Sequence, residues 1–489
     1  MKRILRRCLR LFHVASLTLI LQIELLAGAG EDREDVGRFQ SRVHRLESAI
    51  GRQRQKLGIP GLAIVVVNDD RMIRTKGFGY RDIEKRLPVT SDSLFGIGSC
   101  TKAFTGAAAV MSAEAGKLSL DDSPRKFLPY FRLADPASDA QVTLKDLLTH
   151  RTGLTAYDDE VWHKNDKLSR EEVIKAVMSK PATARFRTAF QYNNVMYSAV
   201  GECIGRANDS TWEGVISNSI FKPLGMKASN TSLQEMRDSP DFTIGYHLPA
   251  KNPQPEKDHD LNNVAASGAI NSSARDMAQW IRLMLGRGVL DGKRLISDAG
   301  FHQLITPGIG HYALGWEILD VDGHKTLISE GGAVGHAARV TVDLDAGTGW
   351  AVLANVNNVR EFRQIANFID RSLQPMPEIS LWRVPTIAAA VFLWLAFLVL
   401  AGVAIARANK GRRRSRGFNC NHPTRPLLRR AILIWIGSAF LAGVFFALSS
   451  FMAAAPWLVI HLPALQWIKL GTLFCGTILL VTVFPYRKS

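Results

Sequence analysis
The 489-residue chain predicts an α+β domain followed by three transmembrane helices. Three observations lead there. The β-rich run Leu62-Ala-Ile-Val-Val-Val67 is followed by a second strand toward Gly79, and strand-like segments return after Tyr312. Between them, from Leu118 to about Arg294, the pattern turns helical and loop-rich. Beyond residue 384, three apolar runs, Ile387 to Ile405, Ala431 to about Ala455 and Leu465 to Phe484, approach the roughly 20 residues that a bilayer core demands. The first two observations predict an antiparallel sheet built from both ends of residues 30–375, flanked by helices and carrying an inserted helical lobe. The third predicts a membrane domain over residues 384–489.

Residues 1–29 open with Lys2, Arg3, Arg6, Arg7 and Arg10, run through apolar Val14 to Leu26 and finish at Ala27-Gly28-Ala29. That is the layout of a secretory signal with a small-residue cleavage site. His13, Gln22 and Glu24 spoil it as a spanning helix, although retention as a signal anchor is the alternative. Asp35 to Leu57 has amphipathic helical spacing, and Gly58-Ile-Pro-Gly61 breaks it before the first strand. Asn68-Asp-Asp70 is a turn, with a second strand running toward Gly79. Helices follow near Leu144 to His150, Ser169 to Ser179, Met196 to Arg206 and Ala274 to Leu285. Strands are expected at Leu314 to Leu319, Lys325 to Ile328, Ala338 to Val342 and Trp350 to Ala354, and a last helix at Val359 to Leu373. A cleft is expected where sheet and lobe meet.

The loop 407–430 between the first two apolar runs holds nine Lys and Arg and no acid. Positive loops stay in the cytoplasm. The first span then runs outward to inward, the third ends inside at Arg487 and Lys488, and residues 30–375 are exported. The expectation is a multi-pass cell-membrane protein with its catalytic domain on the periplasmic or extracellular side and the lipid bilayer as a partner.

The net charge of +17 belongs to this topology. Residues 1–29 carry five basic groups and one acid, and residues 384–489 carry twelve basic groups and no acid, which leaves one net positive charge for everything between. No phosphate-binding face can be built from that, so no nucleic-acid partner is expected. Of five cysteines, only Cys100 and Cys203 fall within residues 30–375, so no disulfide framework is implied. No cluster has metal-ligand spacing and no glycine loop would cradle phosphate. Neither a metal nor a cofactor is expected.

The chemistry is concentrated at Phe95-Gly-Ile-Gly-Ser-Cys-Thr-Lys-Ala-Phe-Thr105. Ser99 and Lys102 are three apart, and the Ala-rich run that follows, closed by Gly116, puts them on the first turn of a helix. Hydroxyl and amine can therefore meet, beside the partial positive charge of a helix N-terminus. Serine needs a base to become a nucleophile, and lysine serves only as a free amine, which burial or neighbouring positive charge would favour. Tyr192 and Asn194, separated by one residue and expected on one side of an extended segment, supply a proton relay and a group to hold Lys102 or a substrate amide. Cys100 is one helix step off this face and reads as a small packed residue.

Ser-x-x-Lys followed about ninety residues later by Tyr-x-Asn resembles the penicillin-recognising serine hydrolases, namely the class C β-lactamase, D-Ala-D-Ala carboxypeptidase, D-aminopeptidase and esterase group. Gly77-Phe-Gly-Tyr-Arg-Asp82, Gly116-Lys-Leu-Ser-Leu-Asp-Asp122, Val142-Thr-Leu-Lys-Asp-Leu-Leu-Thr-His-Arg-Thr-Gly-Leu154, Ser272-Ser-Ala-Arg-Asp-Met-Ala-Gln-Trp280 and Gly331-Gly-Ala-Val-Gly335 resemble its recurrent segments, in order. Together they cover roughly residues 35 to 372. The resemblance implies an exported serine hydrolase working through an acyl-enzyme on Ser99, with Lys102 and Tyr192 managing protons and Asn194 in support. It also implies that the N–H groups of Ser99 and Ala333 hold the oxyanion, and that Gly331 and Gly332 leave room for substrate backbone.

The chain departs from the family at its third motif, where a Lys or His is replaced in Glu330-Gly331-Gly332. A carboxylate there repels carboxylate-bearing substrates, unless it is protonated, pairs with Lys102, or is not the aligned residue. Efficient β-lactam hydrolysis is then disfavoured, and D-residue peptides, small amides and esters are the expected substrates. The rival expectation is a penicillin-binding sensor or scaffold with little turnover. His150 and His336 read as packed residues, and Asp121-Asp122, Asp158-Asp159-Glu160 and Glu171-Glu172 as turns and solvated faces.

Overall fold
The computed structural model describes residues 36–373, apart from residues 70, 156–167, 258–259 and 322. The expected signal (1–29) and membrane domain (384–489) lie outside the described residues, as does Asp158-Asp159-Glu160. Among the described residues no helix is long and apolar enough to cross a membrane.

The amphipathic segment forms α1 (Val36–Leu57), which leads into β1 (Gly61–Asn68), β2 (Arg71–Asp82) and the short β3 (Leu87–Pro88). A single 3-10 turn, Gly98–Cys100, runs directly into α2 (Thr101–Glu114). The lobe supplies α3 (Leu144–Leu148), α4 (Asn194–Ala207) and α5 (Ala274–Leu285), among other short helices. The chain then returns to the sheet as β4 (Glu317–Val321), β5 (His324–Ala333), β6 (His336–Asp343) and β7 (Thr348–Ala354), and ends in α6 (Val359–Leu373).

The seven strands pair in the order β4-β5-β6-β7-β1-β2-β3, and every pairing is antiparallel. The join between the two ends of the domain is β1 with β7, in the register Val65 to Ala351. Both faces of that join are covered, which explains why residues 62–67 are apolar without alternation. Ala63, Val65 and Val67 pack with Ala338, Val340, Ala351 and Leu353 against the lobe. Leu62, Ile64 and Val66 pack with Val352 and Ala354 against α1 and α6. On α6, Phe362, Ile365, Ile369 and Leu373 form the buried stripe, a spacing of three and four residues. Each such side chain contributes about 1.5–3 kcal/mol by burial. On the other face Trp280 of α5 stacks on Phe104 of α2 at 3.9 Å and lies parallel to Trp316 at 6.4 Å, tying the nucleophile's helix to the sheet.

Two expectations about strands change. The segment expected at Leu314 to Leu319 becomes strand only from Glu317, because Leu314 and Trp316 turn into the core, where Ala313 N–H donates to Trp316 O at 2.8 Å. The strand expected to stop at Ile328 continues through the glycines to Ala333, because β6 pairs with it along its whole outer half.

Candidate active site
Ser99 sits in the 3-10 turn and Lys102 is the second residue of α2, so the two side chains leave the same edge of one continuous helical segment. Lys102 is almost wholly buried, at 1% exposure. Its Nζ donates to Ser99 Oγ at 3.0 Å, Asn194 Oδ1 at 2.7 Å and the carbonyl of Ser267 at 2.8 Å. Three oxygen acceptors match the three N–H bonds of an ammonium. The same nitrogen stands 4.8 Å from the Tyr192 ring centroid and 5.5 Å from that of Tyr197, where aromatic faces favour a cation. Tyr192 completes the cluster with its hydroxyl 2.6 Å from Ser99 Oγ. The carbonyl of Ser267 gave no signal in the sequence, since a main-chain acceptor is available from any residue.

Tyr192 and Asn194 reach the site differently from the expectation of one extended strand. Asn193 between them is the N-cap of α4, its side chain accepting from Met196 N–H, and Asn194 is already helical. The cap turns the chain so that phenol and amide approach Lys102 from the mouth of α4. The loop ahead of it is fastened by Asp146, buried at the start of α3, whose carboxylate accepts from Arg151 and from Arg187 at 2.7 and 2.8 Å.

Ala333, Gly332, Gly331 and Glu330 lie on β5, which passes directly beside the nucleophile's turn. Gly98 has φ of 50°, and a Cβ there would stand 2.4 Å from the carbonyl oxygen of Gly332. A Cβ on Gly331 would stand 2.5 Å from Ser99 N. Gly331 therefore makes room for the nucleophile's own turn, whereas substrate access was the expected reason; Gly332 is exposed.

Glu330 hydrogen-bonds to both Nε and Nη2 of Arg339, and to Nε of Arg363 at 2.7 Å; Arg339 in turn holds Asp370 at 2.7 Å. Burial raises the Glu330 carboxyl, but the hydrogen bonds and charges of Arg339 and Arg363 outweigh it and hold the group below the usual carboxylate range. The carboxylate is thus ionised and charge-balanced in place, which removes protonation as an explanation and weakens the expected repulsion of anionic substrates. Sequence gave no sign of this, because Arg339 and Arg363 lie 9 and 33 positions downstream.

The remaining residues behave as packing groups. Burial pushes the Cys100 thiol up to about 12, and its Sγ donates to Ser329 O at 3.3 Å. His336 is buried, bonded to Thr243 Oγ1 at 2.8 Å and Val334 O at 3.0 Å. Among the described residues no three His, Cys, Asp or Glu side chains are grouped to hold a metal ion.

The family model described as Beta-lactamase matches residues 46–374. Protein flp of Staphylococcus aureus (strain MRSA252) is 28% identical over 324 residues, covering 64% of this chain and 63% of that protein. The unguisins hydrolase ungD of Aspergillus violaceofuscus is 25% identical over 346 residues, covering 62% and 59%. The chain therefore matches less than two thirds of the length of these curated relatives. Among solved structures, the octameric penicillin-binding protein homologue from Pyrococcus abyssi superposes with a TM-score of 0.58 at 29% identity, covering 64% of this chain and 73% of that one. EstCE1, a hydrolase with promiscuous acyltransferase activity, shares the fold with a TM-score of 0.58 at 18% identity, over 67% of this chain and 98% of its own.

Proposed function
Because this chain belongs to the Beta-lactamase family, we propose that it is a serine hydrolase that works through an acyl-enzyme on Ser99. The observation that carries the reading is the joint approach of Tyr192 OH, at 2.6 Å, and Lys102 Nζ, at 3.0 Å, to one serine oxygen. With Lys102 satisfied as an ammonium, Tyr192 acting as its phenolate is the group placed to take the proton, becoming the phenol as Ser99 Oγ bonds to the substrate carbonyl carbon. Lys102 stabilises the phenolate by its charge, and Asn194 and the Ser267 carbonyl hold Lys102. The N–H groups of Ser99 and Ala333 receive the oxyanion, an interaction typically worth about 10² to 10³ in rate per donor. The proton then passes from Tyr192 to the departing amine or alcohol, and water releases the acyl group by the reverse sequence.

The substrates of this reading are D-residue peptides, small amides or esters. A relative named for hydrolysing unguisins supports turnover over a purely sensory role. β-Lactams are expected to acylate Ser99 without efficient hydrolysis, since the lysine or histidine of the third motif is replaced by Glu330. We further propose that residues 384–489 anchor the enzyme by three spans, with the catalytic domain exported, on the strength of the basic loop 407–430.

A fluorophosphonate probe tests the chemistry. Labelling of Ser99 by peptide mapping, absent in Ser99→Ala, is expected; labelling of a folded protein at another residue refutes the assignment. An adduct with a penicillin probe that persists for hours would instead mark a sensor. Protease protection in membrane vesicles tests the topology, with the catalytic domain cleaved only from the outer side.

A further inference from the structure
Two acceptors on a single residue grip the segment that carries Tyr192. His150, just beyond α3, has φ of 54°, a left-handed conformation uncommon outside glycine but visited more often by Asn, Asp and His than by other residues. In that conformation its carbonyl accepts from Gln191 N–H at 2.7 Å, and its ring Nδ1 accepts from Asn193 N–H at 3.1 Å. The two bonds flank Tyr192 in the chain. They fix the main chain on either side of the one residue whose phenol must meet Ser99.

Packing alone does not account for the imidazole. The side chain is wholly buried, 4.6 Å from the Tyr192 ring, 5.1 Å from Tyr197, 4.9 Å from Tyr312, and edge-on to Phe190 at 5.4 Å. With Nδ1 accepting, the proton sits on Nε2, and that buried atom has no hydrogen-bond partner among the described residues. An orphaned buried donor is destabilising. A hydrocarbon side chain would fill the same aromatic cage without that cost, so the feature that justifies histidine here is its lone pair on Nδ1. Burial first, and the charge of Lys102 second, hold the ring well below its usual range, so it stays neutral and the lone pair stays available. The titratable groups facing it are Lys102 on α2, Tyr192 ahead of α4, Tyr197 within α4 and Tyr312 ahead of β4.

We propose that His150 is a positioning residue that aims Tyr192 at Ser99 by accepting the main-chain N–H groups on both sides of it. The proposal rests on the acyl-enzyme reading above. It predicts that the acceptor matters, and the imidazole ring does not.

The test compares His150→Asn with His150→Leu. Asparagine places Oδ1 where Nδ1 stands and tolerates the left-handed conformation; leucine keeps bulk and offers no acceptor. The maximal rate of Ser99 labelling by a fluorophosphonate is measured per titrated active site, with the half-saturating probe concentration measured alongside. The Asn variant is expected within about 3-fold of wild type, and the Leu variant roughly 10- to 100-fold slower at an unchanged half-saturation, the scale of a misplaced catalytic group. Equal rates per site in both variants, with loss confined to the fraction of active molecules, would mean a merely structural role and overturn the proposal. If the Leu variant does not fold, His150→Gln replaces it, since its carbonyl reaches one carbon too far, and a rate matching that of the Asn variant overturns the proposal in the same way. A wild-type protein that is not labelled at Ser99 refutes the acyl-enzyme reading, and this proposal with it; a labelled wild type with indifferent variants refutes the proposal alone.

Discussion
The hydroxyl of Tyr192 lies 2.6 Å from that of Ser99, although 93 positions separate the two residues. Phenylalanine at 192 would keep the ring against His150 and remove only the oxygen. Tyr192→Phe is therefore expected to lower the acylation rate by about 10² to 10⁴, the range for loss of a general base, while KM for a small ester stays within a few fold. Stopped-flow acylation with a chromogenic ester checks this. A rate within 10-fold of wild type would transfer the base role to Lys102.

Lys102 presents a different balance, because its burial costs stability even as its charge supports the reaction. Methionine fills a similar volume without a charge to desolvate, although it leaves Asn194 Oδ1 and the Ser267 carbonyl short of a donor. Removing the ammonium abolishes the cost of desolvating it, which offsets the loss of its hydrogen bonds to neutral oxygens. Lys102→Met is expected to abolish Ser99 labelling while the thermal midpoint stays within a few degrees of wild type or rises. Residual labelling above about one part in a hundred would show that the ammonium is dispensable.

Glu330 balances a cluster in which Arg339 and Arg363 face two carboxylates, its own and that of Asp370. Glu330→Gln leaves one positive charge in excess, on a strand that leads three residues later to Ala333, and the side chain of Arg363 is already 58% exposed. KM for a carboxylate-bearing ester is expected to fall relative to that for its neutral analogue, and the difference to shrink from 20 mM toward roughly 1 M salt as screening sets in. A salt-independent KM ratio would place this cluster out of electrostatic reach of the substrate.

Local physics explains which parts of this were legible in the primary structure. Ser99 and Lys102 were readable because i and i+3 meet on any helix. The long helices α1, α5 and α6 were readable because their apolar stripes recur at three and four residues, and β1 because both its faces are covered. The α+β class followed from those elements, as family membership over residues 46–374 bears out. What escaped depends on contacts without periodicity. The N-cap geometry of Asn193, the Ser267 carbonyl under Lys102, the grip of His150 on the Tyr192 segment and the arginines around Glu330 are set by tertiary packing. Sequence places a cation 9 or 33 residues away no more firmly than any other. The inward turn of Leu314 and Trp316 was missed for the same reason, since an apolar run reads alike as strand or as core-filling turn.

Asp146 should make the loop ahead of Tyr192 sensitive to acid. Its side chain is wholly buried, accepting from Thr143 N–H and Oγ1–H at 2.9 Å as well as from Arg151 and Arg187. Burial raises its carboxyl, but the hydrogen bonds from Arg187 and Thr143 and the charge of Arg151 prevail, and the folded-state value falls below the ordinary 3.8. In that interval the unfolded chain binds more protons than the folded one, so stability rises with pH. The contribution is complete above the unfolded value, near pH 4, and is lost as pH falls through the folded one. Asp146→Asn removes the buried carboxylate from its pairs with the part-buried Arg151 and the more exposed Arg187, and is expected to cost about 1–3 kcal/mol at neutral pH, because solvent screens the Arg187 partner. Urea unfolding of both proteins from pH 7 down to about pH 3 provides the check. The stability difference between wild type and variant should stay constant down to about pH 4 and narrow below it, because the other carboxylates titrate equally in both proteins and cancel. A difference that persists unchanged at the lowest pH would mean that Asp146 acts through hydrogen-bond geometry and not through its charge.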